Sequence, residues 1–260
     1  MKNKVFIITG ASGIAAETIK MALRREAQVF YISRTAESCE ALQESLQENG
    51  LSAPYIIGDL TNQDVAPRLV KSCLEKFGRI DGLFNVAGIS GRRYGDGPAH
   101  ECTEEGWSVT MTTNVDTQYR MCREVLNVML KQAPDENGLR GTILNMSSVL
   151  GVSPEPKFFS TIAYAAAKGA ILSMTRSMAA YYATKGIRVN AIAPGLAVTK
   201  MSERASANPE IIEFMKQQQP LTQNVMQARD VAESAIFLLS NQSRVITGET
   251  LLVDAGWSIS

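Results

Sequence analysis

The chain has 260 residues, of which 45% are hydrophobic and 20% are charged, as is typical of a soluble globular protein with a sizeable core. The 26 basic residues balance the 26 acidic ones, so no net charge draws the chain to nucleic acid or to an anionic membrane. One histidine and four cysteines without a Cys-x-x-Cys pair are too few for a zinc site, and the cysteines fit as small apolar residues in a reducing cytoplasm.

Seven short apolar or β-branched runs alternate with longer amphipathic stretches such as Thr35–Asn49 and Asp64–Phe77. The first run ends at Thr9 and is too short for a signal sequence or a membrane span. This alternation predicts an α/β fold, a doubly wound Rossmann-type domain with a seven-stranded parallel sheet and helices on both faces. The predicted strands are Val5–Ile8, Val29–Ser33, Ala53–Ile57, Gly82–Asn85, Thr142–Met146, Arg188–Ile192 and Thr250–Val253.

The domain organisation is simple, because no repeat, low-complexity tract or linker interrupts residues 1–260. We therefore interpret the whole chain as one catalytic domain. The mixed segment Gly195–Pro220 is predicted to be a long loop, and a loop of that length in a compact domain is usually functional. We expect residues 195–225 to form a lid over a substrate.

The first predicted strand runs into a turn that contains Gly10, Ser12, Gly13 and Ile14. Its glycines permit close approach of the backbone to a ligand, and the helix that follows offers free N–H groups and a positive dipole end to a pyrophosphate. A plain strand-to-helix turn is the alternative. The position of the turn directly after the first strand favours a dinucleotide site.

The second predicted strand ends at Ser33 and Arg34. An acidic residue there would accept hydrogen bonds from a ribose 2′-hydroxyl and favour NAD, whereas a hydroxyl and a fixed cation suit a 2′-phosphate. The sequence therefore favours NADP. NAD remains an alternative, since an arginine at a surface is often only solvated.

Tyr164 and Lys168 are one helical turn apart. A tyrosine with its ordinary pKa of about 10 is a poor acid–base group at neutral pH. A neighbouring ammonium lowers the pKa by stabilising the phenolate, and this predicts proton transfer by Tyr164. With seven tyrosines in the chain, the spacing can arise by chance. The functional interpretation of the pair therefore depends on the motifs around it.

That context resembles the short-chain dehydrogenase/reductase family from Lys4 to Trp257. The glycine turn is similar to the family's Thr-Gly-x-x-x-Gly-x-Gly, but it is one residue shorter and has Ala15 at the third glycine. "FNVAG" is similar to Asn-Asn-Ala-Gly, "SVLG" to the Ser-x-x-Gly at the catalytic serine, and "PGLAVT" to Pro-Gly-x-x-x-Thr.

The resemblance implies catalytic and cofactor-binding residues. The implied catalytic residues are Asn114, Ser148, Tyr164 and Lys168. The cofactor-binding set is Gly10, Ser12, Gly13, Ile14, Ser33, Arg34, Asp59, Leu60, Asn85, Ala87, Gly88, Tyr164, Lys168, Pro194, Gly195, Ala197 and Thr199. In this scheme Tyr164 moves the hydroxyl proton, Lys168 lowers its pKa and holds the ribose, Ser148 polarises the carbonyl, and Asn114 supports a proton relay.

The implied activity is hydride transfer between NAD(P) and a carbonyl or secondary alcohol of a small molecule, as in a ketoreductase (the 3-oxoacyl type included) or an alcohol dehydrogenase. A non-catalytic NADP-binding sensor or scaffold is one alternative, and an NAD-linked sugar or steroid dehydrogenase is another. A homotetramer is also implied, and the small apolar residues all round Ile171–Ala183 support it.

The loop after the fourth strand carries two consecutive cations, Arg92 and Arg93, between the glycines Gly91 and Gly95. A guanidinium fork is suited to a carboxylate or phosphate. We hypothesise that one of the two arginines contacts an anionic group of the substrate. The alternative is that both face water or a neighbouring subunit.

Overall fold

A computed structural model describes residues 1–260 and contains one parallel sheet of seven strands. All seven predicted strands are confirmed, with ends within two residues of the expected ones. The strands are β1 (Val5–Thr9), β2 (Gln28–Ser33), β3 (Tyr55–Ile57), β4 (Gly82–Asn85), β5 (Gly141–Met146), β6 (Ile187–Pro194) and β7 (Thr250–Val253). Their order across the sheet is β3-β2-β1-β4-β5-β6-β7.

Helices cover both faces of the sheet, as the apolar character of the strands predicts. They are α1 (Ile14–Arg24), α2 (Ala36–Gln47), α3 (Val65–Phe77), α4 (Glu104–Met111), α5 (Thr117–Met129), α6 (Ile162–Tyr182), α7 (Glu203–Ser206), α8 (Pro209–Gln218) and α9 (Ala228–Leu239). A core of 24 buried residues joins α1, α2 and α9 to one face. A second core of 21 buried residues joins α3, α5 and the end of α6 to the other.

The strand order reverses beside β1, whose neighbours are β2 on one side and β4 on the other. Ligands of open α/β sheets bind at such a point, outside the carboxyl ends of the strands. Thr9 at the end of β1 lies opposite Asn85 at the end of β4. Its hydroxyl accepts hydrogen bonds from the backbone N–H groups of Val86 and Ala87, at 2.9 and 3.1 Å. This contact fixes where the chain leaves β4 and starts the wall of a cleft.

The prediction of a long loop over Gly195–Pro220 is wrong, because most of the segment is helical. A short 3₁₀ turn, Lys200–Ser202, leads into α7, and α8 follows after Asn208, whose side chain caps it. Ile211 and Met215 of α8 pack with Trp257 in a third buried cluster. Since these apolar side chains are fully buried, α8 is a packed part of the fold. The first part of the segment, up to Ala205, lines the cleft.

No helix is both long and apolar enough to cross a membrane. All four cysteines are free, and Cys39, Cys73 and Cys122 are buried while Cys102 is partly exposed. His100 is exposed in the loop after β4.

Candidate active site

A cleft of about 740 Å³ runs along the carboxyl ends of the strands, from β2 and β3 at one end to the chain after β7 at the other. This volume is typical of a small-molecule site. Most residues predicted for the site line it. They are Gly10, Ser12, Ile14, Ser33, Arg34, Asp59, Leu60, Ala87, Gly88, Arg92, Arg93, Ser148, Tyr164, Lys168, Pro194, Gly195, Ala197 and Thr199.

The glycine turn lies at the middle of the cleft. Gly10 has φ +108°, a conformation that side chains disfavour, and a Cβ there would lie 3.2 Å from the methyl carbon of Ala15. That methyl is fully buried in the core between α1 and the sheet. Ala15 therefore takes the space that a glycine would leave beside Gly10, where it borders the cleft. Gly13 caps α1 without any side-chain hydrogen bond, so the first N–H groups of the helix are open to an anion.

The structure turns the side chain of Asn85 away from the cleft, contrary to the prediction that it contacts a cofactor. Asn85 is buried, and its amide donates to the side-chain oxygen of Asn145 on β5 at 3.0 Å. Asn145 in turn donates to the hydroxyl of Thr175 on α6 at 3.0 Å. This polar chain ties β4 and β5 to the helix that carries Tyr164, because buried polar groups need partners.

At the β2–β3 end of the cleft, Arg34 is exposed and makes no ion pair. Asp59, the only acidic residue of the lining, accepts hydrogen bonds from the backbone N–H and the hydroxyl of Thr61. The carboxylate of Asp59 therefore stabilises the turn from Asp59 to Thr61. The guanidinium of Arg34 is free to bind a phosphate at this end.

Ser148, Tyr164 and Lys168 meet on one wall, where the end of β5 faces the first turns of α6. Burial raises the pKa of Tyr164 to about 12, and a hydrogen bond with Ser148 acts in the opposite direction. Burial also lowers the pKa of Lys168 to about 7. The ammonium nitrogen donates to the carbonyl of Met146 at 3.0 Å and lies 5.3 Å from the centre of the Tyr164 ring.

Removal from water disfavours the charged forms of both groups, which accounts for the raised pKa of Tyr164 and the lowered pKa of Lys168, and Ser148 favours the phenolate of Tyr164. The neighbouring Ser147 is structural, as its hydroxyl donates to the backbone carbonyl of Lys168 at 2.9 Å.

Asn114 is fully buried below the cleft, in a π-helical turn, Thr112–Asp116, between α4 and α5. Its side chain pairs with the backbone of Ile89, donating to the carbonyl at 3.0 Å and accepting from the N–H at 3.2 Å. A Cβ at Gly88 would lie 2.5 Å from the Asn114 amide oxygen and 3.8 Å from the Lys168 nitrogen. Asn114 therefore holds the chain after β4 close to Lys168. π-Helical turns are frequent at functional sites.

The two arginines of the loop after β4 differ in their surroundings. Arg92 is half-buried and donates to the carbonyl of Phe158 at 2.7 Å. Arg93 is exposed, lies over the ring of Tyr94 at 4.8 Å and donates to the Tyr94 hydroxyl at 2.6 Å. Of the two, Arg92 is better placed to contact a substrate.

Two residues of this region were missed by the sequence analysis. Asp96 is buried, and its carboxylate accepts hydrogen bonds from the backbone N–H groups of Ala163 and Tyr164 at 3.0 and 2.9 Å. Arg204 of α7 lines the cleft and acts on Arg92 as a like charge. Neither residue belongs to a recognisable motif, and the contacts join segments far apart in the chain.

Comparison with known proteins agrees with this geometry. Residues 8–258 match a family model described as enoyl-(acyl carrier protein) reductase. The chain is 33% identical to an A-factor type gamma-butyrolactone 1′-reductase (1S-forming) of Streptomyces virginiae, over 100% of this chain and 97% of that protein. It is also 33% identical to a glucose 1-dehydrogenase of Gluconobacter oxydans strain 621H, over 99% and 92% of the two chains. A short-chain type dehydrogenase/reductase structure from Mycobacterium ulcerans superposes with a TM-score of 0.89 at 25% identity, covering 100% and 91%.

Proposed function

Because the chain belongs to the short-chain dehydrogenase/reductase family, we propose that it is an NADP-preferring ketoreductase in which Tyr164 is the acid–base residue. As a member of this family it is an NAD(P)-dependent oxidoreductase acting on a carbonyl or a secondary alcohol. The observation that carries the proposal is that Ser148, Tyr164 and Lys168 meet on one wall of the same cleft that has the unpaired Arg34 at its far end.

The residues of the cleft fit a nicotinamide dinucleotide. The start of α1 at Gly13, which has no side-chain cap, would hold the pyrophosphate, and Arg34 would hold the 2′-phosphate. Lys168 would bind the nicotinamide ribose, and the chain from Pro194 to Thr199 would line the nicotinamide. When bound, the cofactor supplies the hydride in reduction and accepts it in oxidation.

In the reducing direction the hydroxyl of Tyr164 donates a proton to the substrate oxygen, and the hydroxyl of Ser148 donates a hydrogen bond to the same atom. Tyr164 is left as a phenolate, and the Lys168 ammonium, 5.3 Å from the ring centre, stabilises that charge. Asn114 keeps the backbone around Gly88 next to Lys168. In this way it supports the proton relay that restores the hydroxyl of Tyr164. Oxidation of an alcohol uses the same groups in reverse.

Two other functions are less well supported. A non-catalytic sensor would not need the Ser148, Tyr164 and Lys168 arrangement, and the curated relatives are named as reductases or dehydrogenases. An NAD-linked sugar dehydrogenase is the closer alternative, since one relative is named a glucose 1-dehydrogenase. The lack of a carboxylate at Ser33 and Arg34 favours NADP instead.

We further propose a homotetramer, because large apolar side chains are exposed on the outer faces of α5 and α6 and on the edge strand β7. Tyr119 of α5 is 51% exposed, Tyr181 of α6 is 62% exposed, and Leu252 lies on the open edge strand β7 with 40% exposed. Sedimentation velocity at micromolar concentration should show a species of four chains. A stable monomer would contradict this proposal.

The replacement Tyr164→Phe tests the proposed mechanism. We expect NADPH affinity within about twofold of the wild type and a loss of turnover on the order of a thousandfold, since acid–base transfer is worth about 10²–10⁴. Tyr55→Phe, which removes a phenol outside the cleft on β3, is the matched control and should keep full activity. A Tyr164→Phe enzyme that reduces a confirmed ketone at near-normal rate would refute the mechanism.

A further inference from the structure

Positive charge is concentrated in the cleft, although the chain as a whole is neutral. The basic residues of the lining are Arg34, Arg92, Arg93, Lys168, Lys200 and Arg204, against the single carboxylate of Asp59. Arg34 and Lys168 are accounted for by the proposed cofactor. The dinucleotide gives no reason for two further arginines, Arg92 and Arg204, on the side of the cleft away from Arg34.

Arg92 is fixed in place but its charge is not balanced. One nitrogen donates to the carbonyl of Phe158, and the backbone N–H of Phe158 donates to the buried carboxylate of Glu155 at 2.7 Å. Burial and the neighbouring Arg204 both lower the pKa of Arg92, while Asp96 acts in the opposite direction. Asp96 is committed to the backbone of α6, and Arg92 forms no ion pair with it.

Arg204 faces the same space from the opposite segment. It is exposed and has no hydrogen bond or ion pair of its own. The adjacent wall contains Phe159 and Trp257, whose rings are 5.5 Å apart. Two guanidinium groups without an ion pair, beside an apolar wall, are suited to a ligand with an apolar body and an anionic end.

We propose that Arg92 and Arg204 bind an anionic group of the substrate, which is therefore a ketone or secondary alcohol carrying a carboxylate, phosphate or sulfonate. An anion between the two side chains removes their mutual repulsion and can accept several charge-assisted hydrogen bonds. Arg93 contributes less, because its guanidinium is engaged with Tyr94. The proposal rests on the proposed function, since it names the substrate class of the same site.

Matched pairs of ketones test the proposal. Levulinate is compared with methyl levulinate, and acetonylphosphonate with its dimethyl ester, as substrates for NADPH-dependent reduction. For at least one pair the wild type should prefer the anion by about tenfold or more in kcat/KM. Arg204→Ala is the cleanest variant, because the side chain makes no structural contact. It should reduce kcat/KM for the anion by about ten- to hundredfold, as expected for a lost charge-assisted interaction, and leave the ester within about twofold.

Arg92→Ala should show the same selective loss, and Arg204→Lys should retain part of the preference. Arg25→Ala, which removes an exposed arginine at the far end of α1, is the matched control and should behave as the wild type. Equal losses on anion and ester, or no preference for the anion in the wild type, would overturn the proposal.

A binding measurement separates this proposal from the proposed function. Calorimetric titration of the NADP⁺-loaded protein with levulinate and with acetonylphosphonate should show binding that Arg204→Ala weakens by about tenfold. If the anions bind in this way but no ketone is reduced, the proposed reaction fails and the anion site stands. If ketones and their esters are reduced equally and neither anion binds through Arg204, the anion site fails and the reaction stands.

Discussion

Asp96 is the residue whose replacement best tests how the fold positions Tyr164. Its carboxylate is only 6% exposed and accepts the backbone N–H groups of Ala163 and Tyr164 at 3.0 and 2.9 Å. These N–H groups belong to the first turn of α6 and have no partner within the helix. Asp96→Asn keeps the shape of the side chain but removes its negative charge and turns one acceptor into a donor.

The magnitude follows from these two contacts. A hydrogen bond to a charged acceptor is worth about 1.5–3 kcal/mol, and a carboxylate at a helix start adds about 0.3–1 kcal/mol. Since one acceptor oxygen remains in the asparagine, we expect a loss of about 2–4 kcal/mol. At about 2 °C per kcal/mol for a chain of this size, the unfolding midpoint should fall by about 4–8 °C. A displacement of Tyr164 by about 1 Å should lower kcat by ten- to hundredfold.

The assay combines NADPH oxidation kinetics with thermal unfolding. The KM for NADPH should change by less than about twofold, because Arg34 and the glycine turn lie elsewhere in the cleft. Asp81→Asn is the matched control. Asp81 is also 6% exposed, but its carboxylate accepts the backbone N–H of Val5 at the opposite end of the sheet. The control should lose stability and keep its kcat. If the two variants lose stability alike and both keep the wild-type kcat, Asp96 has only a structural role.

Two further predictions concern Arg34 and Lys168. Arg34→Asp should weaken NADP binding by about tenfold or more while NAD binding improves relative to it, measured by fluorescence titration, and equal or tighter NADP binding would contradict the assignment. Lys168 has a folded pKa of about 7, below the unfolded value of about 10.4, so its charge destabilises the fold fully below pH 7 and progressively less as the pH rises toward 10. Lys168→Met should therefore abolish turnover yet stabilise the protein, by on the order of 4 kcal/mol at most near pH 6 and by less near pH 9. Denaturant unfolding at the two pH values measures the change in the free energy of unfolding. A variant less stable than the wild type near pH 6 would show that the buried charge of Lys168 does not destabilise the fold.

Much of the fold could be predicted because each strand is a short apolar run closed by a turn residue. The exception is the segment after β6. Its helices α7 and α8 bury only Ala205, Ile211 and Met215, so their apolar periodicity is too short to stand out against the polar residues around them. Their packing depends on Trp257, near the end of the chain, and no local pattern reveals that contact.

The candidate site could be predicted where a motif fixes the residue and its neighbours in the chain. Tyr164, Lys168, Ser148 and the glycine turn are of this kind. The direction of the Asn85 side chain could not be predicted, because a residue at the end of a strand can point into the cleft or into the protein interior. Its direction is set by the hydrogen bond to Asn145, which lies on another strand. The lowered pKa of Lys168 could not be predicted either, because it results from burial of the side chain. The spacing of Tyr164 and Lys168 in the sequence does not show how deeply they are buried.

Two cations of the cleft are buried or half-buried without an ion pair, and this links the stability of the chain to its function. Lys168 is 2% exposed with a single carbonyl as its partner, and Arg92 is half-buried beside a like charge. Charges buried in this way destabilise a fold unless an opposite charge joins them. By contrast, the buried Asp81 at the other end of the sheet has its arginine, Arg79, within 2.6 Å. Since neither cation forms an ion pair within the chain, we expect the anions of the cofactor and the substrate to act as their partners, so that binding these anions stabilises the chain.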